Sequence, residues 1–335
     1  MEIRKVQMTG GSSYIITLPK EWIKASNIKK NDTVGIHKQS DGTLVISSKM
    51  TKEKQYKLKE FDISNIPKQT YLIRRLIGAY ISGYTSIKIT SPERIPLEIK
   101  NTIRVLTQAI IGQEVVEETD TSITLKDLLN PIEMPLDRTI KRMHIIVKSM
   151  KEDAILLLTD KEKILAEEIF IRDKEVNRLH WLVARQYNMI LQNVSLAEKM
   201  DITISLSSTY FLISRIIERI GDHVVRIAKN IQQLPLNALH DELINKIQTA
   251  SKFSLDIFNK SIGSFFRKDI PGSNENIDSV KKLEKLCEEI NTIAIQQNAE
   301  IAIAIGYIVE SIRRIGEYAE DISETVINYL IEEEH

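Results

Sequence analysis

From Pro135 to the C-terminus, apolar residues recur at intervals of three and four, the spacing that gives an α-helix one apolar face. Ile140, Met143, Val147, Met150, Ala154 and Leu157 step 3-4-3-4-3, which predicts the seam of a packed bundle helix. Two more helices are predicted over about 161–191 and 203–233. After Pro235 the order repeats over about 239–267, 277–297 and 299–330. Breaks are expected at Asp160, Asp201, Pro235 and Pro271-Gly272. The pattern is two triplets of long helices.

A tripeptide marks the repeat. Arg-Ile-Gly occurs at 219–221 and again at 314–316, an offset of 95 residues, which is one structural unit. In the first copy Ile213, Ile216, Ile220, Val224, Ile227 and Ile231 form the apolar stripe. At about 100° per residue, Glu218, Asp222 and Arg226 then face roughly the other way. In the second copy Ile308, Ile312, Ile315, Ala319, Ile322 and Val326 form the stripe, and Arg313, Glu317 and Asp321 oppose it. Such a row has two readings. Two carboxylates one turn apart can contribute to a metal site when facing helices add ligands. Equally, the rows can be solvated faces whose Asp222/Arg226 and Arg313/Glu317 pairs are ion pairs worth a few tenths of a kcal/mol, about 0.2–0.5 each.

Before Pro135 the period shortens. Within residues 1–48, strands are predicted over 4–9, 14–18, 34–37 and 44–47, with a Gly10-Gly11-Ser12-Ser13 turn and one short helix over 20–25. Asn31-Asp32 reads as a turn and Asp41-Gly42 as a hairpin signal. The glycine turn lacks the Gly-Lys-Ser/Thr ending of a phosphate-cradling loop. A unit of about 50 residues cannot bury a sufficient core alone and needs a partner. Residues 54–131 are mixed, with helices over 68–83 and 96–111, a strand over 86–90 and a hairpin of 114–118 with 122–125.

Composition adds little until it is divided. The 335 residues hold 46 Lys/Arg and 46 Asp/Glu, so the whole chain is neutral. Residues 1–50 nevertheless hold eight Lys/Arg against four Asp/Glu, whereas 317–335 hold seven acids and no Lys/Arg. A basic end points to an anionic partner. Arg4, Lys5, Lys20 and Lys24 are the candidate DNA-contacting residues. Cys287 is the single cysteine, so there is no disulfide framework or cysteine-based zinc site. No apolar run approaches the roughly 20 residues needed to cross a bilayer, and the expectation is a cytoplasmic protein without membrane insertion. No catalytic constellation is legible, so no enzymatic activity is expected. His223 and His180 are read as structural.

Two stretches resemble known families. Glu-Arg-Ile-Gly-Asp-His at 218–223, followed by an aliphatic helix, resembles the third helix of a PhoU repeat, from the phosphate-uptake regulators built of two related three-helix bundles. That family's Glu-x-x-x-Asp motif matches Glu218 and Asp222. The second copy departs from it, with Arg313 at the first acid, and a Glu-x-x-x-Asp pair survives one turn later as Glu317 and Asp321. The resemblance implies metal at these rows, with iron, zinc and magnesium as candidates, weaker at the second. Residues 4–23, then Asn-Ile-Lys-Lys-Asn-Asp-Thr-Val at 27–34 and Asp-Gly-Thr-Leu-Val-Ile at 41–46, resemble the AbrB/SpoVT swapped-hairpin pattern. In that family two chains interleave strands into one DNA-binding barrel. Asn31 stands where the family has glycine, a change that suits a residue tolerant of positive φ.

The resulting expectation is a mainly α protein. A small β swapped-hairpin domain (1–50) and a mixed α/β connecting segment (51–131) precede two PhoU-like three-helix repeats (132–235 and 236–335). The expected function is that of a homodimeric, DNA-binding regulator of phosphate uptake whose helical bundles sense a signal or partner. The alternatives are an adaptor that docks on a phosphate transporter or its signalling partner without meeting DNA, and a metal-binding protein using the Glu218/Asp222 row.

Overall fold

The computed structural model describes residues 2–38, 42–48, 57–66, 68–160, 163–235 and 239–334. The chain divides into two compact units, Met1–Gln55 and Tyr56–His335. The expected boundary at residue 50, Asp41 of the hairpin signal and the expected helix start at 161 lie outside the described residues.

In the first unit β1 (Gln7–Thr9) pairs antiparallel with β2 (Ser13–Ile15), and β3 (Gly35–Lys38) with β4 (Leu44–Ser47). Gly10 and Gly11 turn the first hairpin at φ of 60° and 78°, a region that a Cβ disfavours. Between the hairpins lies α1 (Lys20–Ala25), entered through Pro19. Asn31 has φ of 73°, so it fills its left-handed position as a glycine would. The two hairpins form separate two-stranded sheets. None of the described residues of this unit is buried.

The second unit begins with β5 (Leu58–Asp62), which the sequence pattern did not announce because Leu58 and Phe61 fall on opposite faces. Then come α2 (Gln69–Ile81), β6 (Ser86–Thr90), α3 (Leu97–Ala109), β7 (Gln113–Glu118) and β8 (Ser122–Asp127). The sheet order is β5-β6-β8-β7, with only β5 and β6 parallel. Phe61, Ile87, Ile89, Ile123 and Leu125 pack against Leu72, Leu76, Ile103 and Leu106 in one core.

Seven helices follow: α4 (Leu136–Leu156), α5 (Lys163–Gln192), the short α6 (Val194–Lys199), α7 (Ile204–Gln233), α8 (Asp241–Arg267), α9 (Ile270–Ala294) and α10 (Ala299–Glu333). All six predicted seam residues of α4 are buried, as is nearly every stripe residue of α7 and α10, in one continuous core. Thr203 caps α7 and Asn298 caps α10, each accepting from a backbone N–H three residues on, at 3.0 Å. The break expected at Pro271-Gly272 is not one. Asp269 caps α9 and Pro271 lies in its first turn, where its missing N–H costs nothing, and the chain turns earlier, at Lys268 with φ of 56°.

The α/β layer is fastened to α5. Arg185, 1% exposed, pairs with Asp127 at 2.5 Å, donates to the Tyr80 carbonyl and covers the Tyr80 ring. Gln186 donates to the carbonyls of Pro131 and Met134, and Asn188 to that of Ile81. A charge buried this deeply requires such complete pairing.

Candidate functional site

Two regions carry the candidate residues. In the first unit, Arg4 is ion-paired with Glu2, two residues away. Among the described residues no carboxylate pairs with Lys5, Lys20 or Lys24, and all three are exposed. Lys20 and Lys24 lie one turn apart on α1, so they share a face. The same unit carries large apolar side chains that are exposed. Ile3 is 85% exposed, Val6 65%, Tyr14 74% and Ile36 62%, and Met8, Ile15, Ile16 and Leu44 are exposed as well.

The second region is the crest of the helical repeats. Gly221 on α7 sits against α5, where an added Cβ would meet Val176 and, at 3.5 Å, an Asp173 carboxyl oxygen. A Cβ there would make only ordinary van der Waals contacts, and the packing of α5 on α7 brings Asp173 beside Glu218 and Asp222. Asp173 has no counterpart in the charged rows read from the sequence. Its only sequence signal is its spacing of four from Asn177, which donates to its carbonyl and carboxylate. The three acids act on one another. Burial and the nearby Asp222 push the Asp173 carboxyl up to about 6, with Lys229 opposing. Burial, then Asp222 and Asp173, raise Glu218 against Arg215 and Arg219. Burial raises Asp222 against Arg226 and Lys229.

This corrects one expectation for the row. Glu218 is half-buried rather than solvated, because α5 lies alongside. Nor do Asp222 and Arg226 form an ion pair among the described residues; they influence each other only through space.

The second crest is built on the same frame and has a different chemistry. Gly316 on α10 packs against Leu283 of α9 as Gly221 packs against Val176 of α5. With Leu283 matched to Val176, the position of Asp173 falls on Val280, which is buried and apolar. Arg313 and Arg314 both pair with Glu310 and Glu317, the Arg314–Glu317 contact measuring 2.9 Å. Asp321 stands apart from these pairs; burial and then Glu324 and Glu317 raise its carboxyl, with Arg219 and Arg314 opposing.

Neither crest closes into a ligand set. Among the described residues no group of three or more His, Cys, Asp or Glu side chains could hold a metal ion. Glu218, Asp222 and Asp173 repel one another without converging, and Glu317 is occupied by guanidinium groups. The residues as arranged do not fit a bound metal.

The histidines pack. His180 exchanges a hydrogen bond with Ser214 at 3.0 Å and stacks on Phe211, and burial pushes its imidazole down to about 4. His223 lies against Tyr318 of α10. The Cys287 thiol is buried and pushed up to about 12, which leaves it unreactive.

The family described as "PhoU domain" matches residues 140–231, which run from the first seam residue of α4 to the last of α7. This stretch is similar to the PhoU domain. The crystal structure of the phosphate transport system regulatory protein PhoU from Streptococcus pneumoniae is similar at a TM-score of 0.50 and 19% identity, covering 58% of this chain and 92% of that one. PhoU from Pseudomonas aeruginosa is similar at a TM-score of 0.52 and 17% identity, covering 59% and 96%. At such identities the likeness is one of fold, and its span exceeds a single helical triplet. Residues 7–54 match a second family, "Antidote-toxin recognition MazE, bacterial antitoxin". No curated protein matches the chain by sequence. Among the described residues no helix is long and apolar enough to cross a membrane. A helical stretch similar to the PhoU domain therefore follows a stretch similar to the MazE family in one chain, in the order of the sequence resemblances.

Proposed function

We propose that the chain is a homodimeric, DNA-binding transcriptional regulator of phosphate uptake. The observation that carries this reading is the unfinished state of the first unit, in which none of the described residues is buried, large apolar side chains lie open, and Lys5, Lys20 and Lys24 are exposed. Such a unit is complete only when a second copy covers the apolar faces. In the completed form Arg4, Lys5, Lys20 and Lys24 of both copies supply charge for DNA phosphates. The phosphate assignment rests on the helical unit, whose fold is that of a protein described as a regulator of phosphate transport. The helical repeats would bind the signal or partner protein and bias how the dimer is presented.

A fluorescence anisotropy titration of the intact chain on a duplex from its own upstream region tests this. Binding should weaken with salt at a log–log slope of about −0.9 per phosphate neutralised. Replacing Arg4, Lys5, Lys20 and Lys24 by alanine should weaken it at least tenfold. Absence of binding at low salt would favour an adaptor that acts on a transporter or its signalling partner.

A further inference from the structure

The first unit is not the only basic surface. Lys57, immediately before edge strand β5, shares one face with Lys59 and Phe61 of that strand, as alternate residues of an extended chain do. An unbroken series of cation–ring contacts runs from there onto α2. The Lys57 ammonium lies 5.1 Å from the centre of the Tyr84 ring, and that of Lys59 lies 5.9 Å from the same ring. Lys59 also lies 5.9 Å from the Phe61 ring. The Arg75 guanidinium covers Phe61 at 4.7 Å and reaches Tyr71 at 5.7 Å. Three cations and three rings in alternation make a stripe rather than a scatter of lysines.

Its charge is uncompensated. Among the described residues none of Lys57, Lys59 and Arg75 is paired with a carboxylate; Lys57 donates to the neutral Gln192 amide at 2.5 Å. Glu60 points to the opposite sheet face, and Asp62 is engaged in capping Ser64. Lys68 and Arg74 add exposed charge nearby, and no Asp or Glu occurs between Asp62 and Glu93. Lysines on an edge strand commonly serve to block strand-to-strand aggregation. That role accounts for Lys57 and Lys59. It does not account for Arg75 on a helix, or for the three rings that fix the cations in a row.

We infer that this β5/α2 stripe is a second nucleic-acid contact, gripping the phosphates of a DNA duplex held by the first unit. The inference rests on the DNA-binding reading above. Duplex is favoured over single strand because each ring has a cation over it and the central one, Phe61, is 4% exposed and closed to a base. That leaves Tyr71, 46% exposed, as the ring with open surface rather than a platform of successive rings. Lys57 and Lys59 rise about 6.8 Å along the strand, which matches two phosphate steps of about 3.4 Å along the duplex axis. Reach is adequate. Residues 49–56 join Ser48 to Lys57, and eight residues span up to about 28 Å. The contact would carry affinity and register without reading bases.

The test is anisotropy of the full chain on a 40-base-pair labelled duplex across a salt series, in wild type, in Lys57→Ala/Lys59→Ala/Arg75→Ala, and in Arg4→Ala/Lys5→Ala/Lys20→Ala/Lys24→Ala. The stripe variant should bind about tenfold or more weakly at low salt, with a salt slope shallower by about 1.8–2.7, two to three phosphates' worth. Lys57→Arg/Lys59→Arg should keep the wild-type slope. Should the triple variant melt early, Lys57→Ala/Lys59→Ala is read instead, with a slope change of about 1.8. An unchanged slope overturns the inference, whether or not the variant loses binding to anionic phospholipid vesicles. If only the stripe variant loses affinity, the stripe stands and the first unit's role falls. If wild type does not bind, both fall.

Discussion

The helical repeats and the N-terminal unit obey opposite rules within one chain. The long helices bury nearly all of their seams, so Ile140, Met143, Val147 and Met150, or Ile213, Ile220 and Val224, have essentially no contact with water. The N-terminal unit has strands, turns and a helix in the places its pattern calls for, yet buries none of its described residues. Secondary structure alone therefore does not complete a fold. Hydrophobic burial at roughly 25 cal/mol per Å² has to offset the entropy of ordering the chain, and a unit that buries nothing has no such offset within one copy. The helical repeats are finished by their own sequence, whereas the proposed function has the N-terminal unit finished by a second copy.

Core truncation separates the two regions most strongly. Ile220→Ala should destabilise the helical unit by about 2–5 kcal/mol in urea unfolding, the usual cost of a buried isoleucine cavity. Ile36→Ala, at an exposed position, should change that unfolding by less than about 0.5 kcal/mol. If a second copy covers Ile36, the same substitution should raise the dimer dissociation constant about tenfold, or roughly 1.4 kcal/mol. No change in dimerisation would mean that Ile36 is an ordinary surface residue.

A smaller effect is expected at Lys151, a charged group inside the finished core. It is 1% exposed, donates to the Ser251 carbonyl at 2.9 Å and to the Ser254 hydroxyl, and burial pushes its ammonium well below the usual range. An amine with a depressed folded-state pKa makes the fold lose stability as pH falls below the unfolded value of about 10.4, because the unfolded chain takes up the proton. Lys151→Met should therefore stabilise the chain by about 1 kcal/mol or more near pH 7. Its advantage should grow as pH falls from about 10 toward the depressed folded-state value of the amine. A destabilised variant would show that the amine's two hydrogen bonds outweigh its desolvation.

The smallest effect concerns the two crests. Elemental analysis after purification without chelator should find less than one metal per chain. Glu218→Gln and Asp222→Asn should lower that trace more than Glu317→Gln or Asp321→Asn, since Arg313 and Arg314 already hold Glu317. Stoichiometric metal lost only in Asp321→Asn would reverse the ranking of the crests.

Much of this organisation was legible in the residues. Helix periodicity located the two triplets, and the offset of the Arg-Ile-Gly tripeptides aligned Gly221 with Gly316. What escaped depends on neighbours distant in sequence. Asp173 matters because α5 packs along α7, and nothing near residue 173 announces that. Lys151 is buried because α4 is covered by α8 of the second repeat as well as by its own triplet, so its apolar seam is wider than one stripe. Pro271 read as a stop because a proline ends a helix interior but starts one equally well, and the Asp269 cap decides between them. The β5/α2 stripe joins residues from 57 to 84, and Lys57, Lys59, Tyr71 and Arg75 become one surface only when the strand is laid against its helix.

Sedimentation velocity on the intact chain and on residues 56–335 tests the central contrast most directly. If the N-terminal unit is completed by a second copy, the intact chain sediments as a dimer and the truncated chain as a folded monomer with unchanged helical content. A truncated chain that remains fully dimeric, or an intact chain that is monomeric at micromolar concentration, would contradict the account.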